Sequence, residues 1–422
     1  MHPKFHRSKK KGGGAMSPLY RAYSAFPIPR APLSWVEIDL SALRKNFRTV
    51  KHLLKERAPL RTPRIIAVVK ADAYGHGAPA CVKALLEEGC DFFAVASFEE
   101  AMAVRRICNE NGSHASVLIL GYTHPEHASE LTQNHLIQAL LSHQYAKELA
   151  EAAEKARVTV RAHIALDSGM NRIGIPIRSS EEIDSAVEEI EEIIRKPHLQ
   201  IEGAFSHFAA ADAPQGSAQA DFTALQYRRY ALLRQRLEEK RISIPFHHLA
   251  NSAASLLGDP PVLMDGARVG ILLYGVDPCG TSLSLTPVMR LKTSVIHLHS
   301  LPPGEPLGYG CGFTADTPRR IATLPIGYAD GLLRGYEGAR VTLSHGGRVY
   351  SVPLVGRICM DQCMIDVTDA PAEIGDEVTL FGDTKEALPR LSASARTIEY
   401  ESLCLISARL PRLYLDFEKE GR

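Results

Sequence analysis

Residues 64–112, RIIAVVKADAYGHGAPACVKALLEEGCDFFAVASFEEAMAVRRICNENG, contain two short apolar runs, each followed by a helical pattern. The runs RIIAVVKA and DFFAVA are rich in β-branched or aromatic residues, which favours buried strands. The segments CVKALLEEG and SFEEAMAVRRICNENG predict the helices that follow. Ser97 and Glu100 have the spacing of a capping box at the start of the second helix. This stretch therefore predicts two consecutive β-α units.

The same alternation continues along the chain. Six further apolar runs predict strands, and two longer segments with helical periodicity lie between them. Continuous apolar strands separated by helices favour a parallel sheet covered on both faces. Eight such units over ~220 residues fit a (β/α)8 barrel better than an open sheet, although periodicity does not itself show closure. The six runs are SVLILG, LIQALL, VRAHIALD, IEGAFSHF, PFHHLA and MDGARVG, and the helical segments are SHQYAKELAEAAEKA and ADFTALQYRRYALLRQRLEEK.

The pattern changes after residue 285, where strand-like segments are joined by Gly, Pro and Asp turns. We therefore predict a barrel domain over residues 34–285 and a mostly antiparallel β domain over 286–422. The strand WVEIDL, which begins at residue 35, could join either domain. The segments that predict the second domain are VMRLKTSVIHLHSLP, RRIATLPIGYA, ARVTLSHGGRVYSVPLVGRICMDQCMIDVT and GDEVTLFG.

Composition narrows the range of partners. The 422 residues carry a formal net charge of +1, which gives no reason to expect nucleic acid or an anionic membrane as a partner. No apolar run approaches the roughly 20 residues needed to span a bilayer. The eight cysteines lack paired metal-ligand spacing, so we expect no metal site. Reduced cysteines without a secretory signal indicate the cytosol.

Residues 1–33 are basic at first and then rich in Gly and Pro. They lack the apolar core of a secretory signal. This composition predicts a solvated, disordered leader rather than a tail for nucleic acid or acidic surfaces. Met16 is an alternative start of the protein.

Lys70 closes the first predicted barrel strand, in the segment AVVKADAYGHGA. Residues at the carboxyl ends of barrel strands face the usual active-site mouth. A lysine that follows a buried run loses hydration, which lowers its pKa and favours the neutral amine. Such an amine can form a Schiff base with an aldehyde and can act as a base once it is released. A lysine that simply ends a strand would show the same local pattern.

The segment VVKADAYGHG resembles the cofactor-lysine motif of the alanine racemase family, and further motifs of that family follow in order over about residues 34–415. The resemblance implies a barrel that binds pyridoxal 5'-phosphate (PLP), a C-terminal β domain and a homodimer whose active sites use residues of both chains. It implies an isomerase that interconverts L-alanine and D-alanine and supplies D-alanine for peptidoglycan.

The resemblance also assigns roles to single residues. Lys70 matches the lysine that holds the cofactor, and Tyr309 matches the second base, which the partner chain donates. On the substrate side, Arg172 and the Met360 N–H match groups near the carboxylate, Asp361 follows Met360, and Tyr328 matches a tyrosine at the entrance. The remaining cofactor matches are Tyr74 and Ser252 at the phosphate, Gly270 and Ile271 through their backbone, Asn251 along the cofactor, His207 on the pyridine ring and Arg268 at the pyridine nitrogen.

These residue types suit a racemisation. Removing an α-proton needs an electron sink, which a PLP imine provides, and two bases on opposite faces of a planar intermediate. Lys70 would serve one face and Tyr309 the other, with a His207–Arg268 chain helping the tyrosine to act as a base. Arg268 stays protonated. It would therefore keep the pyridine nitrogen unprotonated, weaken the sink and limit transamination.

Two positions depart from the family pattern. Ala165 stands where many members carry a carbamylated lysine that orients the arginine matched by Arg172. We expect the amide of Asn171, or a bound anion such as chloride, to position Arg172 instead. Ala408 replaces a tyrosine in ISARLPRLY. This change predicts a wider pocket that excludes serine and larger amino acids less strictly.

Other functions fit parts of the sequence. A broader-specificity racemase or a decarboxylase of the same barrel type would share the cofactor residues. Arg172, Tyr309 and the CMDQ segment favour a reaction that keeps the carboxylate. A PLP-binding homeostasis protein without turnover would share the barrel but would lack the second domain with its tyrosine.

Overall fold

The computed structural model of the protein describes residues 32–420. The leader predicted at residues 1–33 lies almost entirely outside the described residues. The chain enters the fold through strand β1 (Ser34–Asp39) and helix α1 (Leu40–Arg57). Asp39 caps this helix, because its Oδ1 accepts a hydrogen bond from the Ala42 N–H at 2.9 Å.

Strands and helices then alternate, and Ser97, Ser142, Ser179 and Ser217 cap four of the helices in the same way. The elements are β2 (Arg64–Val68), α2 (Ala78–Glu87), β3 (Phe92–Val95), α3 (Phe98–Glu110), β4 (Ser116–Ile119), α4 (Ala128–Gln133), β5 (Leu136–Leu140), α5 (His143–Ala156), β6 (Val160–Asp167), β7 (Ile175–Pro176), α6 (Ser180–Ile194), β8 (Leu199–Phe205), α7 (Ala218–Glu239), β9 (His247–His248), α8 (Ser252–Leu257), α9 (Pro260–Leu263) and β10 (Gly266–Val269).

Eight of these strands form one parallel sheet in the order β10-β2-β3-β4-β5-β6-β8-β9. Its two end strands meet as well, because the Asp265 N–H donates to the His247 carbonyl at 3.0 Å. The sheet therefore nearly closes, and every residue of β3 and β5 is buried. All eight strands were predicted from their apolar runs. The (β/α)8 barrel is confirmed.

The helices cover the barrel with one apolar face each. In α6 the buried residues are Ile183, Ala186, Val187, Ile190 and Ile193, which recur at the spacing of one helix face. Among the described residues, none of the helices is long and apolar enough to cross a membrane.

The second part of the chain forms a nine-stranded sheet in the order β12-β15-β18-β17-β16-β19-β11-β1-β20, in which only the β1–β20 pair is parallel. The predicted antiparallel β sheet is thus confirmed, and β1 lies within it between β11 and β20. Helices α10 and α11 were not predicted. The elements are β11 (Met289–Ser294), β12 (His297–Leu301), β13 (Pro306–Leu307), β14 (Phe313–Thr314), β15 (Arg319–Leu324), β16 (Arg340–His345), β17 (Arg348–Val355), β18 (Cys363–Asp366), β19 (Glu377–Phe381), α10 (Ala387–Ser394), α11 (Glu399–Cys404), β20 (Arg412–Leu415) and α12 (Phe417–Glu420).

Candidate active site

Lys70 lies just beyond the carboxyl end of β2, at the mouth of the barrel. Burial lowers the pKa of its amine, and the nearby positive charge of Arg172 lowers it further. Cys404 and the Glu100 carboxylate act on the pKa in the opposite direction. Desolvation is the largest of these effects. The amine of Lys70 is therefore neutral and nucleophilic more often than the amine of an exposed lysine.

The turn that follows Lys70 is left-handed. Ala71, Asp72, Ala73 and Tyr74 all have φ between 52° and 57°, although none of them is glycine. A left-handed residue with a Cβ costs roughly 1–2 kcal/mol. Four such residues in a row persist only where the surrounding structure holds them. The turn sets the path of the backbone directly after Lys70.

Glu100 contacts this turn and corrects one sequence prediction. Ser97 does cap α3, with its Oγ accepting from the Glu100 N–H at 3.3 Å. The capping box is nevertheless incomplete, because the Glu100 carboxylate does not return to the N-cap residue. It accepts from the N–H of Ala71 at 2.6 Å and from the N–H of Ala96 at 2.8 Å.

Polar groups from the turn after Lys70, from the start of α8 and from the residue after β10 form a cradle. The Gly270 N–H donates to Ser252 Oγ at 3.0 Å. A Cβ on Gly270 would lie 2.3 Å from the Tyr74 hydroxyl, so only glycine allows this approach. Asn251 caps α8 by accepting from the Ala254 N–H at 2.9 Å, and Ile271 begins the next turn. Hydroxyls and backbone N–H groups gathered in this way suit an anionic oxygen group.

Arg268 lies at the centre of a buried polar network inside the barrel. Its Nη1 donates to the His248 carbonyl at 2.6 Å and contacts His248 Nδ1 at 2.8 Å. Its Nη2 donates to the Ser206 and Leu249 carbonyls and lies 3.1 Å from His207 Nδ1. Its Nε has no hydrogen-bond partner among the described residues. One donor of the guanidinium is therefore left for a ligand.

The network fixes the tautomer of each histidine, because a guanidinium can only donate hydrogen bonds. His207 and His248 must accept through Nδ1, so each carries its proton on Nε2. His248 Nε2 lies 2.9 Å from His163 Nδ1 and donates to it. Burial, together with the charge of Arg268, lowers the pKa of His207 to about 3 and that of His248 well below its usual value. Both rings are neutral at pH 7.

Arg172 stands in the loop after β6, close enough to Lys70 and His207 for its charge to lower the pKa of both groups. The prediction that the Asn171 amide positions it is wrong. Asn171 Oδ1 accepts from Arg178 Nη1 at 2.9 Å, and its Nδ2 donates to the Gly169 carbonyl. Ala165 is buried in the barrel, and Arg172 has no hydrogen-bond or ion-pair partner among the described residues.

The other predicted site residues lie in the second domain and are exposed. Tyr309 is 70% exposed, on a turn between Gly308 and Gly310, which both have positive φ. Tyr328 and Met360 are 44% and 55% exposed. Their segments are joined through the backbone, since the Ala329 N–H donates to the Met360 carbonyl at 2.9 Å.

Asp361 extends this exposed group. Its Oδ1 accepts from Arg409 Nη2 at 2.8 Å, and Arg409 also donates to the buried Asp330. Within residues 32–420, no hydrogen bond, ion pair or ring contact joins Tyr309, Tyr328, Met360 or Asp361 to the predicted residues at the barrel mouth. The ring of Tyr74 does contact the second domain, with its centroid 6.1 Å from that of Tyr400. One chain therefore presents the two halves of the predicted site separately.

One groove of the described chain is lined by residues of the second domain and by none of the predicted residues at the barrel mouth. It has a volume of about 810 Å³, and its lining is mainly apolar. We place the candidate chemistry at Lys70, where the perturbed amine and the buried network converge, and regard the groove as part of an open surface. Its lining includes Tyr309, Tyr328, Leu332, Leu333, Ile358 and Leu405.

Comparisons with known proteins identify the family of the chain. Residues 38–278 match the family model described as alanine racemase, N-terminal domain, and residues 288–414 match that of the C-terminal domain. The chain belongs to the alanine racemase family. A curated alanine racemase of Clostridium tetani is 41% identical over 392 residues, which cover 90% of this chain and 95% of that protein. The alanine racemase of Clostridium novyi is 38% identical over 391 residues, with the same shares covered.

Solved alanine racemases share the fold. The enzyme from D-cycloserine-producing Streptomyces lavendulae superposes with a TM-score of 0.81 at 30% identity, covering 93% of this chain and 100% of that one. The Clostridium difficile 630 alanine racemase in complex with cycloserine gives a TM-score of 0.77 at 33% identity, covering 92% and 97%.

Three residues of this alanine racemase family member were not predicted to belong to the site. His163 and His248 extend the Arg268 network, and Glu100 holds the turn after Lys70. A histidine in an apolar strand is the only sequence signal for the first two, and such residues are often satisfied core groups. The capping-box spacing did single out Glu100, but it predicted only a role in capping the helix.

Proposed function

We propose that this protein is an amino-acid racemase that interconverts L-alanine and D-alanine with PLP as its cofactor. One observation carries the proposal: the amine of Lys70, with a lowered pKa, shares the barrel mouth with the Arg268–His207 pair and a cradle of hydroxyl and N–H groups. Membership of the alanine racemase family supports the same reaction.

The residues at the barrel mouth fit PLP. The close approach of Tyr74 to Gly270, where a Cβ would not fit, leaves a hydroxyl and a backbone edge for the phosphate, and Ser252 adds a second hydroxyl. Arg268 Nε is a donor without an acceptor within residues 32–420, which suits the pyridine nitrogen. Asn251, Ile271 and His207 complete the set of residues that would hold the cofactor.

When bound, PLP supplies the electron sink that makes the α-proton of an amino acid removable. Lys70 would take up or return that proton on one face, aided by the lowered pKa of its amine. Arg268 donates but cannot accept. It would keep the pyridine nitrogen unprotonated and so limit side reactions that need a stronger sink. Abundant pyridoxamine phosphate during turnover of the wild-type protein would contradict this last point.

Tyr309 of the partner subunit would serve the opposite face, so we propose a homodimer with shared active sites. Exposure of Tyr309 and the open groove beside it support a surface that a second copy covers. His207 carries its proton on Nε2, because Nδ1 accepts from Arg268. That N–H can donate to the phenol oxygen and so help an otherwise protonated tyrosine act as a base.

On the substrate side, Arg172 and the Met360 N–H would bind the carboxylate, with Tyr328 and Asp361 at the entrance. Arg172 has no hydrogen-bond or ion-pair partner in the part of the chain that the structure describes, so a bound anion such as chloride would complete its setting. Ala408 leaves out a hydroxyl and a ring, which favours a second candidate function, a racemase that also accepts serine or larger amino acids. D-alanine made in the cytosol would supply peptidoglycan synthesis.

The test is direct. Protein reconstituted with PLP is incubated with L-alanine and, separately, with D-alanine, and both enantiomers are quantified by chiral chromatography, with L-serine and L-lysine as comparison substrates. We expect interconversion of alanine in both directions and none without PLP. A protein that binds PLP but leaves alanine, serine and lysine unchanged would contradict the proposal and favour a PLP-binding role without turnover.

A further inference from the structure

The left-handed turn after Lys70 is held at both ends by charged side chains. At its far end, Asp72 Oδ1 accepts from the Ala78 N–H at 2.7 Å, and the Arg412 guanidinium donates to the Gly75 carbonyl. At its near end the only side-chain bond among the described residues is the one from Ala71 to Glu100, at 2.6 Å. Glu100 therefore anchors the peptide next to Lys70.

Both oxygens of the Glu100 carboxylate are used by the backbone. Oε1 accepts from Ala71, directly after Lys70, and Oε2 accepts from Ala96, directly after the end of β3. Glu100 is itself fixed in the first turn of α3 by the Ser97 cap. The carboxylate thus ties together the loops that follow two adjacent barrel strands. A strained turn needs such an external partner, because its own backbone preference is for another conformation.

The charge of Glu100 also bears on the amine. Among the side chains that act on Lys70, Arg172 lowers the pKa of the amine, whereas Cys404 and Glu100 raise it. Glu100 is the one of these that also bonds the backbone beside Lys70. Its geometry and its charge therefore act on the same side chain.

We propose that Glu100 is a positioning residue for Lys70, which clamps the left-handed turn and thereby directs the amine into the barrel mouth. This inference rests on the proposed role of Lys70 as the cofactor lysine. A simple helix-capping role would make Glu100 equivalent to Glu99, its exposed neighbour in the same first turn of α3. Glu99 makes no contact with the turn among the described residues, so it is the matched control.

The variants are Glu100→Gln, Glu100→Asp and Glu99→Gln. Glu100→Gln keeps the length of the side chain, but its amide offers one acceptor and one donor to the two N–H groups. The aspartate keeps the charge but is too short to span both. The first measurement uses the protein without cofactor: labelling by acetic anhydride across a pH series, quantified for the Lys70 peptide by mass spectrometry. The second is the affinity for PLP, followed by absorbance.

We expect the labelling midpoint of Lys70 in Glu100→Gln to fall below the wild-type midpoint, because a nearby negative charge is lost. Glu100→Asp should keep a midpoint close to wild type. Both variants should bind PLP at least about threefold more weakly and lose kcat more than they raise KM. Glu99→Gln should match wild type in every measurement. If Glu100→Gln does not fold, the PLP affinity and kcat of Glu100→Asp alone test whether Glu100 clamps the turn.

Wild-type PLP affinity and kcat in Glu100→Asp, or a Glu100→Gln protein that matches Glu99→Gln in labelling and PLP affinity, would overturn the inference. The labelling measurement needs neither PLP nor a substrate. A protein that proves not to be a racemase would therefore leave this result standing, and the two failures are distinguishable.

Discussion

The barrel mouth and the exposed face of the second domain differ in how completely they are built. At the barrel mouth, Arg268 is buried with both Nη atoms bonded, and neighbouring histidines have fixed tautomers. On the second domain, Tyr309 is 70% exposed on a turn with a glycine on either side. The barrel residues are preorganised within one chain, as cofactor binding requires. In the proposed homodimer, Tyr309 would gain defined surroundings from the partner subunit.

Replacing Lys70 should have the largest effect on the barrel half. Lys70→Ala removes both the proposed cofactor attachment and one of the two bases, so racemisation should fall by at least about a thousandfold. Chiral chromatography measures it, and the Tm shows whether the fold is kept. The exposed Lys83→Ala is the matched control and should keep wild-type activity. Substantial activity in Lys70→Ala would remove this residue from the chemistry.

Removing Arg268 should test how tightly the barrel half is preorganised. Arg268→Gln leaves His248 and the carbonyls of Ser206 and Leu249 without their donors in a buried site. We expect the free energy of unfolding to fall by about 2–4 kcal/mol. Urea unfolding measures this change, with the exposed Arg106→Gln as control. A loss as small as the control's would show that the network is not a structural unit.

The depressed pKa values of the buried barrel histidines should make the stability of the fold depend on pH. Burial lowers the pKa of His163 and His207 to about 3 in the folded chain, whereas an unfolded histidine has a pKa of about 6.5. The unfolded state therefore binds more protons between these values. The stability is complete above about pH 6.5 and is lost as the pH falls toward 3, by up to about 1.4 kcal/mol per pH unit for each histidine.

Urea unfolding of the protein without PLP between pH 7.5 and pH 5 checks this expectation. His163→Gln should show a shallower loss of stability than wild type as the pH falls. The exposed His114→Gln should keep the wild-type slope. Equal slopes in all three proteins would mean that His163 titrates normally in the fold.

The smallest expected effect concerns Asn171, which bonds Arg178 instead of Arg172. Asn171 has φ 55°, so Asn171→Gly removes the amide without backbone strain. Loss of an exposed bond worth roughly 0.5 kcal/mol should change KM for alanine by less than about threefold. Steady-state kinetics measure it, with Arg172→Lys as the variant that should raise KM. A tenfold rise in Asn171→Gly would return Asn171 to the role that the sequence suggested.

Most strands of both domains could be predicted from the sequence, but the turn after Lys70 could not. Apolar runs between helical segments were sufficient for all eight barrel strands, because burial on both faces leaves a continuous apolar pattern. Alternating strands and turns predicted most of the second sheet, but they did not predict β20 and left the place of β1 open. The left-handed turn after Lys70 had no such signal, since Ala71, Asp72 and Ala73 carry none of the glycine pattern that usually marks positive φ.

Some features of the candidate site were likewise predicted from the sequence and others were not. Motif order placed Lys70, Tyr74, Ser252 and Gly270, which the structure brings together at the barrel mouth. The partners of Asn171 and Glu100 could not be predicted, because each bonds a residue further along the chain than the neighbour that the local pattern suggested. Asn171 bonds Arg178, 7 residues away, and Glu100 bonds the N–H of Ala71, 29 residues away. Only the folded geometry shows these partners.

The most direct test of the central claim, that one site uses both subunits, mixes two inactive variants. Lys70→Ala and Tyr309→Phe proteins are partly unfolded together, refolded with PLP and assayed for alanine racemisation, and each variant is treated alone as a control. In a mixed dimer one site carries both changes and the other carries neither. Random assortment should therefore restore about a quarter of wild-type activity. A mixture that contains mixed dimers yet stays as inactive as its components would contradict the shared site.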